Sequence, residues 1–323
     1  MTVTTQDPVA EARRDLDARI GAELAKPIFP AAIAAAEALR AHFGPPVSAI
    51  LFYGSCLRDG DDEGKILDFY VVVDRYRDVF GAGWKTLANA VLPPNVFYFE
   101  TTFDGRVVRS KVAVFSLADF EAATSSRHFD SYVWARYAQP SALAYVRDDA
   151  IRRRIEAAVA QCSATLLEKT VPLFSGPFRA SDLWSRGFTQ TYRVELRSEG
   201  PGKGAEIYAL GAERYDALTE SALKLTKWPV IQGADGRYAG PSGAGIRLRA
   251  AAAWRLRRVY CSTLNILRLM KAVFTFSGGI DYIAWKIARH SGVQVEITPW
   301  QRRHPLLAGV TLFWRLRRKG AFR

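Results

Sequence analysis

LFYGSCLRDGDDEGKILDFYVVVD, residues 51–74, decides how the rest of the chain is read. An apolar run over 47–53 ends in Gly54-Ser55. Twelve residues separate Ser55 from Asp68. Asp68 opens a second apolar run, Phe69 to Val73, which closes at Asp74. The pattern predicts strand, glycine turn, loop, strand, with the turn and one carboxylate at facing strand ends.

That layout suits nucleotidyl transfer. A nucleoside triphosphate is a dense anion, and backbone N–H groups of a Gly-Ser turn can approach its phosphates because glycine puts no side chain in the way. A carboxylate on the next strand can hold Mg²⁺ on the same phosphates, since Mg²⁺ takes few protein oxygens and completes its shell from substrate and water. A two-carboxylate version would read Asp-x-Asp or Asp-x-Glu; here the triplet is Asp68-Phe69-Tyr70.

Working outward, residues 1–30 are polar with some helical character and carry no evident chemistry. Residues 31–43 are Ala-rich and helical, stopped by Gly44-Pro45-Pro46. The acids of the 58–64 loop read as solvated, with metal ligation the less favoured alternative. Asp74 lies six residues beyond Asp68, roughly 20 Å at strand rise, too far to share a metal; it reads as a cap or turn residue. A helix interrupted near Gly81 and Gly83 follows, stopped by Pro93-Pro94. Residues 96–103 and 106–117 read as a hairpin around Asp104-Gly105. Arg109 and Lys111 share a face of its second strand, facing either a triphosphate or solvent. Glu100, on the first strand, could supply a second metal ligand or be an ordinary exposed acid. Residues 118–172 read as mostly helical, and 182–188 and 191–197 follow. In the latter, Tyr192, Glu195 and Arg197 are polar groups of interest, or a helix face with one Glu–Arg pair. Residues 198–248 read as Gly-rich turns, with a boundary near 226–245.

Charge is unevenly spread. Residues 241–323 hold 16 Lys and Arg against 2 acids, so the whole formal excess of +13 sits in the last quarter. Such asymmetry points to a polyanion partner. Residues 250–272, 280–290 and 300–323 mix aliphatic and aromatic residues with the cations, which favours an anionic membrane surface over nucleic acid. No apolar run approaches the ~20 residues of a spanning helix. The N-terminus lacks a signal pattern, and three scattered cysteines point to a reducing compartment. The expectation is a cytoplasmic protein, peripheral on the inner face of a membrane.

These residues resemble the mitochondrial-type phosphatidate cytidylyltransferases, the peripheral CDP-diacylglycerol synthases of the translocator-assembly-and-maintenance family, within the polymerase-β-like nucleotidyltransferases. The similar stretches are Tyr53-Gly54-Ser55, the run from Leu67 to Asp74, Gly105-Arg106 before the basic strand at Arg109, Trp134 with Tyr137, and Tyr192, Glu195 and Arg197. The family's Gly-Arg after the Trp–Tyr segment reads Gln139-Pro140 here. The resemblance implies an α+β fold: an extension (1–30), a nucleotidyltransferase domain with a mixed sheet and flanking helices (31–118), a helical, winged-helix-like domain (119–226) and a basic amphipathic membrane-associating region (227–323). It implies Mg²⁺-dependent transfer from CTP to phosphatidic acid. Asp68, Ser55 and Gly54 would be catalytic; Tyr53, Arg109, Lys111, Tyr192 and Arg197 would bind substrate; Asp68 with Glu195 or Glu100 would hold the metal. A different acceptor, a non-catalytic nucleotide- or lipid-binding protein, and an RNA-binding tail remain competing readings.

Overall fold

The computed structural model describes residues 7–194, 202–241, 243–275, Thr298 and Trp300. The elements run α1 (Pro8–Leu24), α2 (Pro30–Phe43), β1 (Val47–Tyr53), α3 (Ser55–Asp59), β2 (Leu67–Val73), α4 (Tyr76–Phe80), α5 (Trp84–Val91), β3 (Asn95–Phe103), β4 (Arg106–Ser116), α6 (Leu117–Thr124), α7 (Trp134–Tyr137), β5 (Ser141–Val146), α8 (Asp149–Thr170), α9 (Ala180–Val194), α10 (Lys203–Ala209), α11 (Ala212–Lys224), a small hairpin of β6 (Ile231–Gln232) and β7 (Tyr238–Ala239), and α12 (Ala244–Thr275).

The fold is α+β, with a mixed five-stranded sheet in the order β3-β4-β2-β1-β5 and flanking helices. β2 and β4 are parallel; the other pairs are antiparallel. Strand alternation gives the sheet two apolar faces. Ile50, Phe52, Phe69, Val71, Val112 and Val114 meet the alanines of α2 on one side. Ala49, Leu51, Tyr70, Val72, Ala113 and Phe115 lie under α1, α6, α8, α9 and α11 on the other. Burial on both faces is why the 69–73 run is apolar without a break.

The Asp104-Gly105 hairpin forms as expected, with Asp104 at φ 51° and Gly105 at φ 71°. Three expectations need correction. Residues 118–172 include a strand, β5, which pairs along β1 from Tyr53↔Ser141 to Ala49↔Val146. Residues 198–248 hold two helices: Gly204 serves helix contact, since a Cβ there would stand 2.2 Å from the Ser185 carbonyl oxygen on α9. Residues 1–30 are more than an extension, because Leu16, Ile20 and Leu24 of α1 are buried in the core. The Glu23 carboxylate at the end of α1 pairs with Arg214 of α11 and receives the Ser141 N–H at 3.4 Å.

α12 is docked by one face. Trp254 Nε1 donates to the Lys169 carbonyl at 3.0 Å, and Arg257 Nε to that of Phe129 at 2.9 Å. Arg268 donates to the Pro93 carbonyl at 2.8 Å and to Asp130 at 2.6 Å, and packs over the Tyr132 ring. Part of the basic excess is therefore structural. The other two stretches of mixed apolar and cationic residues, 280–290 and 300–323, lie outside the described residues apart from Trp300. Among the described residues no helix is long and apolar enough to cross a membrane.

Candidate nucleotide site

The site grows from the end of β1. Strand β1 must leave the sheet at once to enter α3, and Gly54 makes that exit at φ 94°, ψ −163°. Only glycine adopts this conformation readily. A Cβ on Gly54 would also stand 3.1 Å from Asp68 Oδ2. Glycine is required twice here, by backbone angle and by the carboxylate of the next strand.

Register across the sheet then sets a row. Tyr53 on β1 pairs with Ser141 on β5 and with Asp68 on β2; Asp68 pairs with Lys111 on β4, and Lys111 with Tyr98 on β3. These five share the face that carries Tyr70 and Ala113 one step further in. Lys111 Nζ lies 3.9 Å from Asp68 Oδ1, with both side chains partly exposed. Next along the hairpin, Arg109 pairs with Glu100, and Arg109 Nε lies 3.6 Å from Glu100 Oε1. The Tyr98 hydroxyl donates to Glu100 Oε1 at 2.6 Å, and burial with this bond raises the Tyr98 pKa.

The loop after α3 is pinned to the hairpin turn. Arg106 grips Asp62 with two bonds of 2.6 and 2.8 Å. Lys65 pairs with Asp59 at 2.7 Å and Asp61 at 3.4 Å. Asp59, Asp61 and Asp62 are thus engaged by cations, and Asp62 is buried rather than solvated. Cys56 is buried behind the turn and donates to the Ile66 carbonyl at 3.2 Å; burial, with Asp68 nearby, pushes its thiol up to about 11, so it is no nucleophile at neutral pH.

Tyr53, Gly54, Ser55, Asp68, Lys111, Arg109 and Glu100 are therefore brought to one end of the sheet. Glu100 stands two strands from Asp68, on the order of 10 Å between backbones, and its carboxylate contacts Tyr98 and Arg109. Tyr192 sits half-buried on α9 among residues packed against the core. Glu195 and Arg197 lie outside the described residues. Trp134 and Tyr137 are wholly buried and belong to the core. Asp74 is at the other end of β2, where it accepts from Ser48 at 2.6 Å and from Arg147 at 2.6 and 3.1 Å; it ties strand ends rather than capping a helix.

Tyr70 explains the missing second carboxylate. Its side chain is fully buried between Phe115 and Tyr132, with Tyr53 and Tyr137 edge-on. That position points into the core.

Tyr98 and Ser141 are the members of the row that sequence reading missed. Tyr98 was accessible: a two-residue turn at Asp104-Gly105 pairs Phe103 with Arg106 and, counting back, Tyr98 with Lys111. Ser141 required knowledge of β5.

Among the described residues no three His, Cys, Asp or Glu side chains gather to hold a metal. Asp68 alone fits a Mg²⁺ that arrives on phosphate oxygens, and does not fit a metal held by protein alone. No protein-family model matches the chain, and no curated protein matches it.

Proposed function

We propose that the chain is a nucleotidyltransferase of polymerase-β type that transfers cytidylyl from CTP to phosphatidic acid, giving CDP-diacylglycerol and pyrophosphate in phospholipid biosynthesis. The observation that carries the reading is the Gly54–Asp68 unit, a glycine turn at φ 94° whose missing Cβ leaves room for a strand carboxylate at 3.1 Å. The Gly54-Ser55 turn presents backbone N–H groups where β- and γ-phosphates would lie. Lys111 and Arg109 place two cations beside them.

In the reaction an oxygen of the phosphatidate phosphate forms a bond to the α-phosphorus of CTP. The bond from that phosphorus to the bridging oxygen breaks, and pyrophosphate leaves with the electron pair. The nucleophile is already anionic at neutral pH, so no general base is needed. The protein's task is positioning and charge neutralisation. Mg²⁺ bound with the triphosphate would supply further neutralisation at its oxygens, with Asp68 holding it. Lys111, close to Asp68 in the free protein, would turn to the phosphates as they arrive.

The test is CDP-diacylglycerol formation from CTP and phosphatidic acid in mixed micelles with Mg²⁺. Wild type should form product. Asp68→Asn, partly exposed and isosteric, should keep its unfolding curve and lose turnover by 10²-fold or more, on the order of one lost transition-state electrostatic contact. Near-normal turnover in that variant would sink the proposal. A second reading, nucleotide binding without turnover, is favoured by the single carboxylate with a lysine beside it; CTP binding with no product from any phosphorylated lipid would select it.

A further inference from the structure

The β3–β4 hairpin holds an acid that the proposed reaction does not use. Glu100 and Arg109 stand opposite each other, and Arg109 Nε lies 3.6 Å from Glu100 Oε1. Two residues back on the same face of β3, the Tyr98 hydroxyl donates to that same oxygen at 2.6 Å. Arg109 reaches the Tyr98 hydroxyl as well. Each cation offered to the phosphates therefore has a carboxylate beside it: Lys111 has Asp68 at 3.9 Å, and Arg109 has Glu100. The reaction gives Asp68 a further task, holding Mg²⁺. It gives Glu100 none.

A negative charge at this place opposes the binding of a polyanion. It is not needed to pin the hairpin, which is already laddered from Asn95↔Val114 to Phe103↔Arg106. The Glu100 side chain is 49% exposed and that of Arg109 31%, and ion pairs so exposed are weak. A polyphosphate opens such a pair, because guanidinium–phosphate bonds are charge-assisted and come in twos. Product release poses the opposite problem. Cations at full strength would hold CTP and pyrophosphate alike, and binding both more tightly gains nothing for turnover.

We infer that Glu100 is a resident counter-ion for Arg109, displaced when a polyphosphate arrives and paired again as pyrophosphate leaves, so that it speeds product release. Tyr98 is its positioning residue, because its hydroxyl holds the carboxylate on the side of Arg109. The inference rests on the proposed reaction for the identity of the ligand.

The test is isothermal titration of the full chain with pyrophosphate and with CTP, each with Mg²⁺, wild type beside Glu100→Gln. Glutamine keeps the shape and an acceptor for Tyr98 and removes the charge. Both ligands should bind about fivefold more tightly to the variant, the effect of removing one charge several ångströms from a polyanion in partly screened water. The gain should shrink as salt is added. In an Arg109→Gln background the same change should tighten binding less than about twofold, because the counter-ion then has nothing to neutralise. In the mixed-micelle assay Glu100→Gln should lower the KM for CTP and lower kcat with it, as retained pyrophosphate slows turnover. Weaker binding by Glu100→Gln overturns the inference and makes Glu100 a ligand of the metal. Unchanged binding overturns it too, leaving Glu100 a bystander on the hairpin, and so does a full gain without Arg109. Wild type that binds neither ligand removes the proposed reaction and this inference together. Wild type that binds and turns over beside an unaltered Glu100→Gln removes this inference alone.

Discussion

Replacing Tyr70 by Asp would rebuild the two-carboxylate triplet that β2 lacks, and the structure says that this will unfold the protein. Tyr70 is completely buried in a cluster with Phe115, Tyr132, Tyr53 and Tyr137. Losing an aromatic ring from such a site costs about 3–5 kcal/mol. The carboxylate left behind must stay ionised at a cost of several kcal/mol or take up a proton. Arg136 is close enough for its charge to act on the Tyr70 hydroxyl, but it stacks on the Tyr132 ring and donates to the Tyr132 carbonyl. The total, above about 5 kcal/mol, matches the whole stability of an ordinary domain. Tyr70→Phe is the control. The Tyr70 hydroxyl is buried without a hydrogen-bond partner, so its removal should leave stability unchanged or raise it by about 1 kcal/mol. Urea unfolding followed by tryptophan fluorescence and far-ultraviolet circular dichroism measures both. A Tyr70→Asp protein with the wild-type midpoint would refute the reasoning. It would mean that residue 70 faces the site, and the second carboxylate could then be restored.

Other outcomes follow from the same contacts. Gly54→Ala should cost about 1–3 kcal/mol from the backbone angle alone and reduce nucleotide binding, because the new methyl group displaces the Asp68 carboxylate; isothermal titration with CTP reads the second effect. Asp130→Ala should cost about 3–5 kcal/mol, because it strands Arg268, whose side chain is 10% exposed, beneath α12; chemical denaturation checks it. Hydrogen bonds from Arg147 hold the Asp74 carboxyl below its usual range. Its stabilisation is therefore complete above the unfolded-state value near 4 and is lost as pH falls through the lower folded value. Because the pair is more than one-third exposed, the effect should be about 1 kcal/mol or less. Asp74→Asn should flatten the stability profile below pH 4 by that amount, measured by urea titrations at each pH.

The parts of the fold that were legible in the sequence carried local signals. β1 and β2 are apolar runs bounded by glycine and aspartate, and the β3–β4 hairpin announces its turn. α2 shows an alanine face between prolines. The site turn was legible because Gly54-Ser55 and Asp68 sit at strand ends whatever lies above them. What escaped was decided by distant partners. The segment from Ser141 to Val146 becomes a strand by pairing with β1 almost a hundred residues earlier in the chain, and nothing in its six residues separates it from a short helix. α10 and α11 lay hidden behind glycines that punctuate their ends or, like Gly204, let helices touch. The inward direction of Tyr70 followed from helices covering that face of the sheet, which the unbroken apolar run around it already implied.

The pairing of Glu23 with Arg214 has a consequence for synthesis on the ribosome. The partners are 191 residues apart in the chain and only 12–15% exposed in the folded protein. At about 5–20 residues per second, Glu23 emerges on the order of 10–40 s before its guanidinium exists. Throughout that interval Glu23 has no guanidinium partner, and the contact between α1 and α11 cannot form. The Gly54–Asp68 end of the sheet is translated early, but its neighbour Ser141 waits on the same late arrival to close the Glu23 corner. A nascent chain released before α11 would carry the site's sequence with its edge unfastened, in the form most exposed to chaperones and proteases.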